Sequence, residues 1–280
     1  MSTYRDLLRW GRELLSQAQV ADSELDAWSL MEYVFDMDRA HYFLRDTEEA
    51  DQREAEYRSL VEKRAKRIPL QHLTGQAWFM GLEFYVDGRV LIPRQDTEVL
   101  VEEALKRLAD GQKVLDMCTG SGCVLISLLR ERPSCQGVGA DLSQEALEVA
   151  KINGDRIGVD AQFVRSDLFT DIRGKYDMIV SNPPYIPTGT VATLEQEVQE
   201  YDPAQALDGG VDGLDFYRRI LEQAADYLED GGWLLLEIGH DQGEAVRGQM
   251  EARGYRQLQV VRDLAGRNRV VLGRREDRRI

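Results

Sequence analysis

Asn182-Pro183-Pro184-Tyr185 ends an apolar run, Tyr176 to Val180. Proline has no N–H for a sheet ladder and fixes φ, so a strand must stop here. In an open parallel sheet, ligands bind just beyond the carboxyl ends of the strands, which puts Asn182 at an active-site edge. Its side-chain oxygen accepts a hydrogen bond, and so does the Pro183 carbonyl. Two acceptors with no base beside them suit a substrate that offers an NH2 group. Pro184 and Tyr185 complete the expected substrate contact, Tyr185 as a flat face for a planar amide or base. The plainer reading is a Pro-Pro turn whose Asn caps its own backbone.

A second constellation is Asp116-Met117-Cys118-Thr119-Gly120-Ser121-Gly122, between a short strand and a helix. Glycines let the backbone approach a ligand closely, and a helix N-terminus presents N–H groups with partial positive charge. The loop has no GK[ST], so no lysine serves terminal phosphates, and only Gly120 and Gly122 fit a dinucleotide fingerprint. Asp141 closes the next strand about 20 residues on, where an acid binds ribose hydroxyls. Asp167 ends the third strand and can accept from an adenine amino group, with Leu168 beside the ring. Three successive strand ends thus offer a methionine-end loop, a ribose acid and an adenine site, and nothing to neutralise a pyrophosphate. S-adenosylmethionine fits. The expected cofactor contacts are Cys118, Thr119, Gly120, Ser121, Gly122, Asp141, Asp167, Leu168 and Asn182. Two of them have plainer readings: Cys118 as a small packing residue, with no His or Lys placed to activate it, and Asp141 as a helix N-cap.

The elements that must position these groups are legible in outline. Residues 1–74 read as helices: Leu7, Leu8, Trp10, Leu14 and Leu15 share helical spacing. Ser23 is an N-cap candidate for a second helix with Leu25, Trp28, Met31, Val34 and Phe35. A third helix is expected from Thr47 to Arg67, stopped by Pro69. Residues 75–95 read as a linker hairpin turning at Asp87-Gly88, between 78–86 and 89–92. From Pro93, helices alternate with strands expected at 113–116, 137–140, 161–164, 176–180, 233–238, 258–261 and 270–272. The last two have no helix between them and read as an antiparallel pair. The expectation is an α/β fold, a doubly wound, mostly parallel seven-stranded sheet over 96–280, with a small N-terminal helical domain. The stretch 186–213 is long for an idle connection, and the Arg-rich end, Arg274 to Arg279, reads as solvated.

The chain has 280 residues and a net charge of −15, which argues against a general electrostatic grip on nucleic acid. Cys118, Cys123 and Cys135 form no CxxC pair, so no disulfide framework or zinc site is legible, and no metal is expected. No run approaches 18 apolar residues. A soluble, cytoplasmic protein is expected, without a membrane partner.

Together these motifs resemble the class I S-adenosylmethionine-dependent methyltransferases of the NPPY type. Further segments are similar to one family among them, the protein-(glutamine-N5) methyltransferases of peptide chain release factors. Leu91-Ile92-Pro93-Arg94-Gln95-Asp96-Thr97-Glu98 resembles the leader before that family's fold. Tyr201-Asp202-Pro203, Ala206-Leu207-Asp208-Gly209-Gly210 and Asp212-Gly213-Leu214 resemble its substrate loop. Leu236-Glu237-Ile238-Gly239 and Asp263-Leu264-Ala265-Gly266-Arg267 resemble its late elements. Gln95 stands where the family often has proline, and Leu168 where some members carry an aromatic residue.

The resemblance implies methyl transfer to the glutamine side-chain amide of a Gly-Gly-Gln motif in class I release factors. Asn182, Pro183 and Tyr185 would carry the chemistry, in a monomer that takes no DNA. NPPY alone is shared with methyltransferases of adenine or guanine amino groups, which is the alternative reading. Such an enzyme should carry basic or aromatic recognition elements, and residues 1–74 hold 11 Lys and Arg against 15 Asp and Glu. A cofactor-binding scaffold without catalysis is a further alternative, against which the intact Asn182 and Tyr185 speak. His240 reads as a surface or capping residue.

Overall fold

A computed structural model describes residues 2–276. The chain divides into two compact units, Met1–Gln76 with Glu195–Tyr201, and Ala77–Leu194 with Asp202–Ile280. Among the described residues no helix is long and apolar enough to cross a membrane.

The first unit is helical: α1 (Tyr4–Gln17), α2 (Ser23–Phe35), α3 (Arg39–Arg45), α4 (Glu54–Ala65) and α5 (Leu70–Thr74). Leu7, Leu8 and Leu15 of α1 pack with Trp28, Met31 and Val34 of α2 and with Tyr57 and Val61 of α4. Ser23 is the first helical residue rather than the cap, and Leu25 faces outward at 55% exposure. The helix expected from Thr47 starts only at Glu54. Residues before it form turns around an isolated bridge from Glu49 to Thr3 instead, with Ala50 N donating to Ser2 O and Asp51 Oδ1 accepting from Arg53 N at 2.9 Å. The unforeseen α3 is capped by Asp38, which accepts from His41 N at 2.8 Å. It buries no side chain, so it left no apolar stripe to read.

Within the second unit, β1 (Gln76–Phe79) and β2 (Leu82–Tyr85) form a two-stranded sheet that turns at Met80-Gly81. Both turn residues have positive φ, +49° and +71°, the geometry that suits a two-residue hairpin. The expected turn at Asp87-Gly88 is therefore corrected. The Asp87 carboxylate accepts from Arg89 N, the Arg89 guanidinium and the Tyr85 hydroxyl, which holds it near pKa 2. Freed from a ladder, the chain after it packs Val90 and Ile92 with Ala146 and Val149.

The main sheet has seven strands: β3 (Lys113–Met117), β4 (Gln136–Asp141), β5 (Gln162–Arg165), β6 (Tyr176–Ser181), β7 (Leu228–Glu237), β8 (Arg256–Arg262) and β9 (Asn268–Arg274). Their order is β5-β4-β3-β6-β7-β9-β8, with β9 antiparallel to both neighbours and the other pairings parallel. Alternation along β6 assigns the two cores. Ile179 packs with Tyr217, Ile220 and Leu221 of α11 (Asp215–Tyr227) and with Val246 and Met250 of α12 (Gly243–Ala252). Met178 and Val180 pack on the other face with Leu100 and Val101 of α6 (Glu98–Leu105) and with α7 (Cys123–Glu131). A further helix, α8 (Gln144–Ile157), follows β4. Its buried Asn153 bonds the Tyr85 backbone at both N and O, joining β2 to the sheet domain.

The structure fills in the 186–213 stretch and corrects part of the Arg-rich end. The 186–213 stretch holds α9 (Thr188–Val191) and α10 (Gln196–Tyr201), and α10 groups with the N-terminal helices. Arg274 lies in β9, and the Arg275 side chain is buried, donating to Leu228 O and pairing with Asp230 at 3.3 Å. Arg275 is therefore not solvated, whereas Arg274, though in β9, is exposed as expected; Arg278 and Arg279 lie outside the described residues.

Candidate active site

The carboxyl ends of β3, β4, β5 and β6 converge on one cleft, as the strand order requires of its switch point between β3 and β6. Cys118, Thr119, Gly120, Ser121, Asp141, Asp167, Leu168, Asn182 and Pro184 all line it. Gly122, Pro183 and Tyr185 do not. Gly122 caps α7 at φ +79°, where a Cβ would come within 2.9 Å of Ile126 Cδ1. Its part is to let the loop turn into the helix. Pro183 is buried, and Tyr185 packs beside the α11 face of the core, where burial pushes its hydroxyl up to about 12.

The glycine loop is built for close approach. Gly120 has φ +54°, and a Cβ there would meet nothing within 4 Å, because the cleft lies in front of it. Its N–H donates to Asp141 Oδ2 at 2.9 Å, while Asp141 Oδ1 accepts from Ser143 N at 2.9 Å. Each carboxylate oxygen keeps accepting capacity for a diol. Burial raises the Asp141 pKa, opposed by those backbone N–H groups. Asp116 is fully enclosed and accepts from the Thr119 hydroxyl at 2.6 Å; burial pushes its carboxyl up to about 7. Burial likewise pushes the Cys118 thiol well up, the direction that disfavours a thiolate.

Further along, Leu168 is buried at φ +50°, with its carbonyl accepting from the Ser166 hydroxyl at 2.5 Å. Asp167 is paired with Arg219 at 2.6 Å, and Arg219 lies over the Phe216 ring at 5.8 Å. The residues fit S-adenosylmethionine: an acid for the ribose, an apolar slot with a carboxylate for the adenine, and an open glycine before the loop. They do not suit a free phosphate. Among the described lining residues the cations are Arg89, Arg94 and Arg219, and each is paired with a carboxylate, Asp87, Asp202 and Asp167 respectively.

Asn182 sits at the end of β6. Its Nδ2 donates to Thr97 Oγ1 at 3.2 Å, so Oδ1 is the atom left for a ligand. The backbone after it is clamped. Gln242 Nε2 donates to the carbonyls of Tyr185 at 2.9 Å and Gly213 at 3.2 Å, while its Oε1 accepts from Gly239 N at 2.9 Å. Gly209 N donates to Ile186 O at 2.8 Å, and a Cβ on Gly209 would stand 2.7 Å from Tyr185 Cα. Only glycine lets the loop return this closely.

Several residues at the site were not singled out from the sequence. Thr97, Asp202 and Glu237 lie inside segments already quoted for the resemblance, without a role. Glu237 is 1% exposed and its Oε2 has no hydrogen-bond partner among the described residues. Burial pushes its carboxyl up to about 7, against the pull of Thr97, Arg269 and Tyr185. Asp202, also raised by burial, pairs with Arg94 at 2.7 Å. Gln242, Phe216 and Arg219 carried no sequence signal. His240 is exposed beside Asp241 at 3.6 Å, a surface residue.

Residues 6–75 match the PrmC N-terminal domain family and residues 94–200 the methyltransferase small domain family. Among solved structures, a methyltransferase from Pyrococcus furiosus superposes with TM-score 0.54 at 18% identity, over 71% of this chain and 91% of that one. At this identity the likeness shows the fold alone. A release factor glutamine methyltransferase from Geobacter sulfurreducens is 42% identical over 97% of this chain and 96% of its own length. Those from Deinococcus radiodurans and Moorella thermoacetica are each 40% identical, over 97% and 98% of this chain and 98% and 99% of theirs. On this likeness along nearly the whole length, the chain belongs to the release factor glutamine methyltransferase family.

Proposed function

We propose that this chain transfers a methyl group from S-adenosylmethionine to the side-chain amide nitrogen, N5, of the glutamine in the Gly-Gly-Gln motif of class I peptide chain release factors. The observation that carries the reading is Asn182 at the cleft edge with Nδ2 engaged and Oδ1 open. The names of the full-length relatives support the substrate class. No comparable support stands behind the nucleic-acid alternative.

The cofactor supplies an electrophilic methyl group on a sulfonium. An amide nitrogen is a poor nucleophile because its lone pair is delocalised. The protein's part is to orient it: Asn182 Oδ1, on the cleft, accepts one N–H and stabilises charge growing on nitrogen; the Pro183 carbonyl, buried and off the cleft lining in the cofactor-free chain, takes the second N–H once substrate opens the turn. Such positioning contributes roughly 7–11 kcal/mol, so no base of matched pKa is required. Tyr185 backs the amide from the core side, and the proton leaves after transfer.

In this reading residues 96–280 carry the chemistry, 75–95 link, and 1–74 dock the protein substrate. The glycine- and proline-bearing stretch 186–213 wraps the incoming loop. The enzyme works as a monomer in the cytoplasm, without DNA. The test is incubation of labelled S-adenosylmethionine with purified release factor or with DNA, followed by mapping of the label. Label on the Gly-Gly-Gln glutamine is the expected result; label on nucleic acid, or none, overturns the reading.

A further inference from the structure

We infer that Thr97 is a positioning residue that fixes which end of the Asn182 carboxamide faces the substrate, with Glu237 fixing Thr97 in turn. The inference rests on the function proposed above and deepens it. Asn182 is useful only in one orientation. With Oδ1 forward it accepts from a substrate NH2; flipped by a half-turn it presents its own NH2, and donor meets donor. The two ends are nearly equal in shape, so packing alone discriminates weakly between them.

Thr97 supplies the discrimination. It ends the short turn Gln95–Thr97 before α6, is 2% exposed and lines the cleft. Its Oγ1 accepts from Asn182 Nδ2 at 3.2 Å. A hydroxyl, however, can also donate, and a Thr97 proton turned toward Asn182 would favour the flipped carboxamide. Glu237 removes that freedom. Its carboxyl is buried, feels the Thr97 hydroxyl as a group that lowers its pKa, and keeps Oε2 without a partner among the described residues. A buried acceptor gains from any donor it is offered. With Glu237 ionised, when it can only accept, the Thr97 proton goes to Glu237, its lone pair faces Asn182, and Asn182 Oδ1 faces the cleft.

The residues come from three distant parts of the chain: the leader, the end of β6 and the end of β7. Neither of the two contacts requires a bound molecule, so the orientation is set before substrate arrives.

The test compares Thr97→Val, which keeps the shape and removes the hydroxyl, with Thr97→Ser, which keeps the hydroxyl. Calorimetric S-adenosylmethionine binding and release-factor methylation are measured for both. Thr97→Val should lower kcat about tenfold or more while cofactor Kd and release-factor KM stay within about threefold. Thr97→Ser should remain within about threefold of the parent in kcat. Glu237→Gln, whose NH2 can donate to Thr97 and reverse the relay, should also lower kcat with cofactor binding retained. It serves if Thr97→Val fails to fold. Thr97→Val with unchanged kcat, or with loss confined to KM, overturns the inference. Failure of the parent to methylate the release factor overturns the functional reading instead, so the two are distinguishable.

Discussion

Gln242 Nε2 donates to the carbonyl oxygen of Tyr185 at 2.9 Å across 57 residues of sequence. The same amide reaches Gly213 O, in a buried contact, and Gly239 N, in a part-buried one. Gln242→Leu leaves them buried and unpaired, at about 1–3 kcal/mol for each group that finds no water. We expect a lowered urea midpoint and a loss of methyl transfer larger than the loss of cofactor affinity, because the Asn182 turn loosens. Unchanged stability would mean that the clamp is dispensable.

Asn182→Ala separates positioning from binding. Turnover should fall on the order of 100-fold or more, the scale seen when one polar contact to a developing charge is removed. Calorimetry should show cofactor affinity largely kept, since the loop and Asp141 are untouched. Equal loss of cofactor binding would show that Asn182 serves the cofactor and not the amide.

Asp141 has both oxygens already engaged by Gly120 N and Ser143 N and still faces the cleft. Asp141→Ala removes the ribose acceptor and the tie on the glycine loop together. Cofactor Kd should rise about tenfold or more. Equilibrium binding of S-adenosylhomocysteine reports this without any turnover; an affinity equal to the parent's would place the ribose elsewhere.

Asp116 and Glu237 are pushed up to about 7 from ordinary values of 3.8 and 4.5. Between those limits the folded protein holds protons that the unfolded chain has released. The stability they contribute is present below the unfolded pKa and lost as pH rises through about 7. The ceiling is on the order of 3–4 kcal/mol for each. Urea unfolding of the cofactor-free protein should weaken between about pH 5 and pH 7.5, and Glu237→Gln should flatten part of that slope. A variant slope equal to the parent's would place the titration at other groups.

In the helical unit, Arg64 is 5% exposed and pairs with Asp26 at 2.7 Å and Glu197 at 2.9 Å. Burial raises the Asp26 pKa, which Arg64 opposes. Arg64→Met strands a buried carboxylate at a cost of about 3–5 kcal/mol and releases α10. Limited proteolysis should then cut within residues 195–201 before any other segment. Parent-like resistance there would show that α10 is held by something else.

How much of this was legible beforehand divides by distance along the chain. The order of strands and helices, the glycine loop, the strand-end acids and the Pro-Pro stop follow from periodicity and breakers, which act within a few residues. The seven-stranded sheet and the convergence of Gly120, Asp141, Asp167 and Asn182 on one cleft follow from that order alone. The hairpin turn was misplaced because Asp87-Gly88 and Met80-Gly81 compete locally, and the Asp87 pairing with Arg89 and Tyr85 decided it. Grouping of α10 with the N-terminal helices goes with a part-buried ion pair between residues 133 positions apart and with contacts from Arg67 and Lys66.

The amino-acid sequence by itself determined which groups stand at the strand ends, because strand ends are written locally in proline, glycine and aspartate. Only the tertiary structure decided how Asn182 is aimed. That depends on Thr97, 85 residues away, and on the burial of Glu237, and neither burial nor a hydrogen-bond direction across such a span leaves a local pattern.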